Sequence, residues 1–223
     1  MIIIKLIRFA INNPPSGRIN HSGTYALDSK WWQGSDEKAE GYTYKETPYG
    51  LIITGYQGDS TRLTIPDTLN GKPVKYIYRI GKAISGVRIP GGVIVIGNNA
   101  FSQDRLTTVS IGEGVTTIGD NAFAHNQLSS VTIPDSVTSI GKDAFAYNQL
   151  TSVTIGRGVV SFEAGVFASN EKLKNVTLPA NVSLDDYTFG YYSGSYFKEA
   201  YEKNGKKAGT YTRVKYKWAY AEE

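Results

Sequence analysis

Two consecutive stretches decide the architecture. Ser129-Ser-Val-Thr-Ile-Pro-Asp-Ser-Val-Thr-Ser-Ile-Gly-Lys-Asp-Ala-Phe-Ala-Tyr-Asn-Gln-Leu150 follows Thr107-Thr-Val-Ser-Ile-Gly-Glu-Gly-Val-Thr-Thr-Ile-Gly-Asp-Asn-Ala-Phe-Ala-His-Asn-Gln-Leu128 almost residue for residue. Working outward, phenylalanine recurs at Phe101, Phe123, Phe145, Phe167 and Phe189, every step being 22 residues. Ahead of each lies an apolar pair: Val87/Ile89, Val109/Ile111, Val131/Ile133, Val153/Ile155 and Val176/Leu178. Leu63/Ile65 opens an earlier, divergent copy stretched by Asn70-Gly71-Lys72-Pro73. A period of this length describes a stack of similar units, each unable to bury its own apolar face alone.

The physics of one unit follows from its pattern. Leu150, Val153 and Ile155 alternate with Ser152 and Thr154, which predicts a short β-strand with one face inward. Pro134, or Gly112 and Gly156 at the same place, ends the strand and turns the chain. Val137 and Ile140 supply a second inward pair, and Gly141 is expected to take a left-handed corner. Ala144-Phe145 then crosses the top of the unit, the small residue leaving room for the ring. Six rungs from Leu63 to Leu178, about 4.8 Å apart, predict a stack about 24 Å long. Asp104, Asn126, Asn148 and Asn170 hold equivalent positions after each Phe, and are expected to hydrogen-bond the backbone of neighbouring turns.

The unit Leu-x-x-Val-x-Ile-Pro-x-Ser-Val-Thr-x-Ile-Gly-x-x-Ala-Phe resembles the leucine-rich repeat of the Treponema pallidum type, also called the bacterial surface protein A-like class. The resemblance covers residues 58–190. Here Asn or Asp stands where that family often has Cys, and the segment Ala200-Tyr-Glu-Lys-Asn-Gly-Lys-Lys-Ala-Gly-Thr-Tyr-Thr212 is similar to a treponemal tail. The resemblance implies a β-rich α/β solenoid, a right-handed superhelix of stacked parallel short strands. It also implies a non-enzymatic protein-binding role and a periplasmic or extracellular address, with adhesins among its members.

Solenoids need caps, because each end exposes core and unpaired strand edges. The expected organisation is an extension over 1–40, a hairpin cap over 41–57, repeats over 58–190 and a C-terminal cap over 191–223. Tyr42-Thr-Tyr44 and Leu51–Tyr56, joined by Thr47-Pro48-Tyr49-Gly50, form the hairpin. Ser195 is expected to cap a helix running to Asn204, stopped by Gly205, with Phe197 and Tyr201 on one face. Beyond it, Arg213, Lys215 and Lys217 alternate with Val214, Tyr216, Trp218 and Tyr220. Fourteen of the 16 tyrosines and all three tryptophans lie outside residues 86–190. The net charge of +4 divides the same way, as +4 before residue 86, −3 across the repeats and +3 after them. The basic, aromatic character therefore belongs to the ends.

Few residues offer chemistry. The absence of cysteine excludes disulfides, thiol catalysis and Cys-ligated metals. Ser136-x4-Gly141-Lys142-Asp143 lacks the first Gly and the last Ser/Thr of a phosphate loop, and its place in the repeat explains it. Ser35/Lys38 and Ser139/Lys142 are short chance matches to a serine–lysine pattern. Neither His21 nor His125 has a ligand-spaced partner, and Asp185-Asp186 and Gly58-Asp59 read as turns. No catalysis, metal or cofactor is expected. Lys5 and Arg8 break the apolar start Met1–Ile11, which reads as a buried strand or short helix rather than an export signal. No segment is long enough to span a membrane, and the compartment stays open, cytoplasm included.

Protein binding is the leading expectation. The outward strand positions, chiefly Ser and Thr with Arg88 the exception, lack the aromatic anchors common at interfaces. A better stripe lies two residues after each Phe: Gln103, His125, Tyr147, Ser169 and Tyr191, a column that varies between otherwise identical repeats. The second candidate is the N-terminal aromatic group Trp31, Trp32, Tyr42, Tyr44 and Tyr49, either a cap core or an exposed face that makes a homo-oligomer. Two alternatives stand beside protein binding: a self-associating scaffold, and nucleic-acid binding through the basic aromatic segment 213–220.

Overall fold

The structure, a computed structural model, describes residues 36–190, 193–214 and 217–220. Readings that fall on Met1–Ile11, Trp31, Trp32, Tyr191, Lys215 and Tyr216 lie outside the described residues. The chain opens with a meander: β1 (Glu37–Ala39), β2 (Tyr42–Thr47) and β3 (Gly50–Tyr56). The first solenoid turn holds β4 (Arg62–Thr64), β5 (Thr68–Leu69) and β6 (Lys72–Ile77), the last two formed by the extra residues around Asn70-Gly71. Next come β7 (Gly86–Ile89) with β8 (Val95–Ile96), β9 (Thr108–Ile111) with β10 (Thr117–Ile118), and β11 (Ser130–Ile133) with β12 (Ser139–Ile140). The fifth and sixth turns contribute β13 (Ser152–Ile155) and β14 (Asn175–Leu178). Helix α1 (Ser193–Lys203) and the strands β15 (Gly209–Val214) and β16 (Lys217–Tyr220) close the chain.

The first four turns thus each add one rung to two parallel ladders, and the fifth and sixth add strands to the first ladder alone. The second ladder runs unbroken from β6 through β8 and β10 to β12, and β3 pairs in parallel on the outer edge of β6. The first ladder differs from the continuous six-rung stack expected. It divides into β4-β7-β9 and β11-β13-β14, with β9 and β11 adjacent but not paired. At that junction Gln127 N–H still donates to Leu106 O at 2.8 Å, the second ladder pairs β10 with β12, and the Phe column passes through. Side-chain stacking and the other ladder carry the turn-to-turn connection where the first ladder does not.

The five Phe rings are buried and stack face to face at 5.1–5.7 Å between centroids. A ring column at the rung spacing forms because equivalent side chains of successive turns must lie about 4.8 Å apart. One corner departs from expectation. The left-handed residue of each turn is not Gly141 but Asp143 (φ 54°), matched by Asn99, Asn121 and Gly165. Gly141 serves close packing instead: a Cβ there would lie 2.5 Å from Asp120 N and 2.7 Å from Gly119 C of the preceding turn.

The C-terminal end also differs in detail. Helix α1 begins at Ser193, two residues before the expected cap, so Ser195 lies inside it. The alternating segment is not one strand but a hairpin, with Arg213 opposite Trp218 and Val214 opposite Lys217. Its first strand, β15, pairs antiparallel with β14 and covers the last edge of the first ladder. Phe197 and Tyr201 share the buried face of α1, as their i, i+4 spacing predicts. Phe197 meets Trp218 edge-on at 4.8 Å and Phe189 at 4.4 Å, so the cap core continues the Phe column.

Candidate functional site

The column two residues after each Phe forms a second set of left-handed corners: Gln103 (φ 64°), His125 (57°), Tyr147 (56°) and Ser169 (55°). In an L-residue this conformation costs about 1–2 kcal/mol relative to glycine, because Cβ crowds the following carbonyl. The first set of corners uses Asn, Asp and Gly, the residues that tolerate it. The second set carries Gln, His, Tyr and Ser. The backbone is held by bonds that depend on no side chain there: His125 N–H donates to Ala146 O at 3.0 Å, and Tyr147 N–H to Ala168 O at 2.9 Å. The His125 and Tyr147 rings stack in parallel, 4.3 Å apart and 6° from coplanar, on the surface. Tyr147 is 53% exposed. Two rings of the column thus stack at the corner of the solenoid, at positions whose backbone bonds do not require them.

Directly beneath it lies the Asn ladder. Asn148 Oδ1 accepts from Leu128 N–H at 3.0 Å, while its Nδ2 donates to Phe123 O (2.9 Å), Phe145 O (3.1 Å) and Ala146 O (3.2 Å). Asn126 and Asn170 repeat the arrangement one turn before and after. These residues are buried and structural, as their position predicts.

Asp104 heads the ladder and breaks its logic. The side-chain position that donates to carbonyls in the Asn copies is here a carboxyl oxygen, Oδ2, buried without a hydrogen-bond partner among the described residues. Burial pushes the Asp104 carboxyl up to about 7, with the Arg79 charge pulling partly back. Its ordinary value is 3.8. Between those two pH values the folded chain holds this proton and the unfolded chain does not. Stability therefore falls as pH rises from about 4 to about 7, then levels off. Asp104→Asn restores the donor and is expected to raise stability at pH 8 by about 2 kcal/mol while flattening this slope. Denaturant midpoints at pH 4 and pH 8 measure both, and an unchanged slope would remove Asp104 as its source.

The N-terminal aromatic candidates separate. Tyr42 and Tyr44 are cap core rather than a surface, 6% and 1% exposed. Tyr42 Oη donates to Thr64 O at 3.2 Å, and Tyr44 Oη to Glu37 Oε2 at 3.0 Å while accepting from Asn70 Nδ2. Burial raises both phenols, Tyr42 to about 12. Their alternation on β2 turns them inward against β3, which the sequence leaves open. Tyr49, at the hairpin tip, is 47% exposed and stands alone of the three. At the other end Trp218 is buried under Arg213, 5.8 Å away, and Tyr220 is half-buried, so among the described residues of 213–220 Trp218 is cap core.

One feature escaped the sequence reading. A pocket of about 290 Å³ opens on the face of β4-β7-β9, lined by Arg62, Thr64, Gly86, Arg88, Thr108 and Ser110 over Val87 and Val109. The signal was present, since Gly86 interrupts a column that is otherwise Thr108, Ser130, Ser152 and Asn175. Among the described residues no group of three or more His, Asp or Glu is arranged to hold a metal, and no helix is long and apolar enough to cross a membrane.

Stacked parallel rungs, an inward Leu/Val/Ile pattern and an Asn ladder define a leucine-rich-repeat solenoid. The model of the BspA type leucine-rich repeat region matches residues 75–195 in six copies, and the chain belongs to that family. Solved structures with the same fold include the leucine-rich repeat protein of T. pallidum, 25% identical over 64% of this chain and 81% of that one, with a TM-score of 0.50. A leucine-rich repeat protein of Bacteroides ovatus is 27% identical over 65% of this chain and 42% of that one, with a TM-score of 0.55. No curated protein sequence matches this chain significantly. The family is a repeat module of protein interaction or structure, and its fold is non-enzymatic.

Proposed function

We propose that the chain is a non-catalytic protein-interaction module that engages a host- or envelope-protein partner through the corner column Gln103, His125 and Tyr147. One observation carries this reading: two stacked, exposed rings are kept at left-handed positions where glycine would cost less. Rigid aromatic side chains with little rotamer freedom to lose are common anchors of protein interfaces. The solenoid presents them with little shape change on binding.

The test uses the full chain with a photo-cross-linking residue at Ser169, next in the column. It is challenged with envelope proteins of the producing cell and with host-surface proteins. One saturable adduct that survives high salt and disappears in Tyr147→Gly supports the reading. Equal labelling in Tyr147→Gly and His125→Gly overturns it. Tyr147→Gly is expected to change stability by less than about 1 kcal/mol, since relief of the left-handed strain offsets the lost ring stack. Denaturant unfolding checks this. A mass that rises with concentration in light scattering favours the self-associating scaffold instead.

A further inference from the structure

The first three rungs present six outward side-chain positions as a grid. The strand register sets Arg62 beside Gly86 and Gly86 beside Thr108; one pleat along, Thr64 lies beside Arg88 and Arg88 beside Ser110. Later rungs fill both columns with Ser, Thr or Asn. At Gly86 the column is empty: a Cβ there would lie 2.8 Å from Thr108 Oγ1 and 3.6 Å from Arg62 Cγ. The neighbouring side chains lean over the gap, and the pocket forms around it.

Every polar side chain around this notch is a donor. Two guanidinium groups and three hydroxyls line it, with no carboxylate among the lining residues. Neither Arg62 nor Arg88 belongs to an ion pair among the described residues. The two arginines sit diagonally across the glycine, their Cα atoms about 8 Å apart from the rung and strand spacings. Two planar forks at that separation, both on one face, can converge on a single carboxylate, the geometry guanidinium groups match best.

We propose that this notch receives an Asp or Glu side chain from an extended segment of a protein partner, its carboxylate held between Arg62 and Arg88 with Thr64, Thr108 and Ser110 donating around it. Charge complementarity carries the choice of occupant. From Ser110 to Thr177 the same face continues as uncharged Ser, Thr and Asn, so the arginine pair is its one charged point of attachment. The chain's own residues 1–35 are a poor match, with Lys5, Arg8, Arg18 and Lys30 against Asp28 alone. The occupant proposed is therefore a separate protein segment rather than these basic residues. This site lies on the strand face, apart from the His125–Tyr147 corner, and requires nothing of that reading.

The test is fluorescence anisotropy of a labelled Ser-Glu-Ser-Glu-Ser peptide with the full chain at low salt, against the same peptide with Gln for Glu. The Glu peptide is expected to bind about tenfold or more tightly than the Gln peptide, and the double variant Arg62→Gln/Arg88→Gln to lose about that factor. Gly86→Ser places in the notch the side chain that later rungs carry at the same position. It should keep the fold, checked by its unfolding midpoint, and weaken binding several-fold. Tyr147→Gly should leave the peptide affinity unchanged, which separates this site from the corner column. Equal binding of the Gln peptide, full affinity in the double variant, or full affinity in Gly86→Ser overturns the proposal. Displacement by inorganic phosphate at the concentration of peptide carboxylate also overturns it, in favour of a site for free oxyanions.

Discussion

Phe145→Ala is expected to lower the stability of the solenoid by about 4 kcal/mol. The ring is fully buried and stacks on Phe123 at 5.1 Å and on Phe167 at 5.7 Å. Its removal leaves a void that two flanking rings, each held by its own turn, are poorly placed to fill. The position matters as much as the volume. Phe123 and Phe145 belong to the turns of β9-β10 and β11-β12, where the first strand ladder is interrupted. Ring stacking there joins turns that the first ladder leaves unpaired. In a solenoid, stability is close to a sum of unit and nearest-neighbour terms, so a lesion at one junction uncouples the two sides. A single unfolding transition is therefore expected to broaden or divide, with the midpoint falling by roughly 10 °C. Calorimetry of Phe145→Ala beside the milder Phe145→Leu measures this. A loss below about 1 kcal/mol would show that the Phe column is not the packing spine.

Asn148→Ala is expected to cost about 3 kcal/mol, for a different reason. Phe123 O and Phe145 O each keep a second amide, from Asn126 and Asn170 respectively. Ala146 O still accepts from His125 N–H. Leu128 N–H, bonded to Asn148 Oδ1, is left buried without a partner, and an orphaned donor carries its full desolvation cost. Asn148→Asp makes the sharper comparison. It keeps the acceptor for Leu128 N–H but replaces a donor facing three carbonyls with an oxygen. Its loss should be larger at pH 8 than at pH 4, the direction Asp104 already shows at the head of the ladder. Chemical denaturation of the two variants at both pH values tests this. A pH-independent loss in Asn148→Asp would mean that the carbonyls do not set the polarity of the site.

Much of this protein is legible from residue order alone, because a repeat states its own register. The period of 22 aligned Val153 with Val131, Phe145 with Phe123 and Asn148 with Asn126 before any coordinates. Each lies where that alignment puts it, buried and stacked one rung apart. The polarity of the caps and the inward face of α1 follow from the same counting of periods. The corner column was also visible, through residues that vary where all else repeats.

What the sequence could not decide concerns relations between turns that are not repeats of one another. Gly141 reads as a flexible corner, yet only the approach of Gly119 and Asp120 from the preceding turn shows that it is a packing glycine. Tyr42 and Tyr44 read as a cap core with an exposed face as the alternative, and β3 and Asn70, closing over them, decide for the core. The segment 213–220 alternates like one strand, and the hairpin that divides it depends on β14 offering an edge. Asp104 is an ordinary acid in sequence; its raised pKa comes from burial in a turn whose successors use Asn. Gly86 is a single missing side chain until the register sets it between Arg62 and Thr108. Periodicity specifies what each turn does for itself. Desolvation, close approach and the pairing of one rung's residue with the next exist only once the turns are stacked.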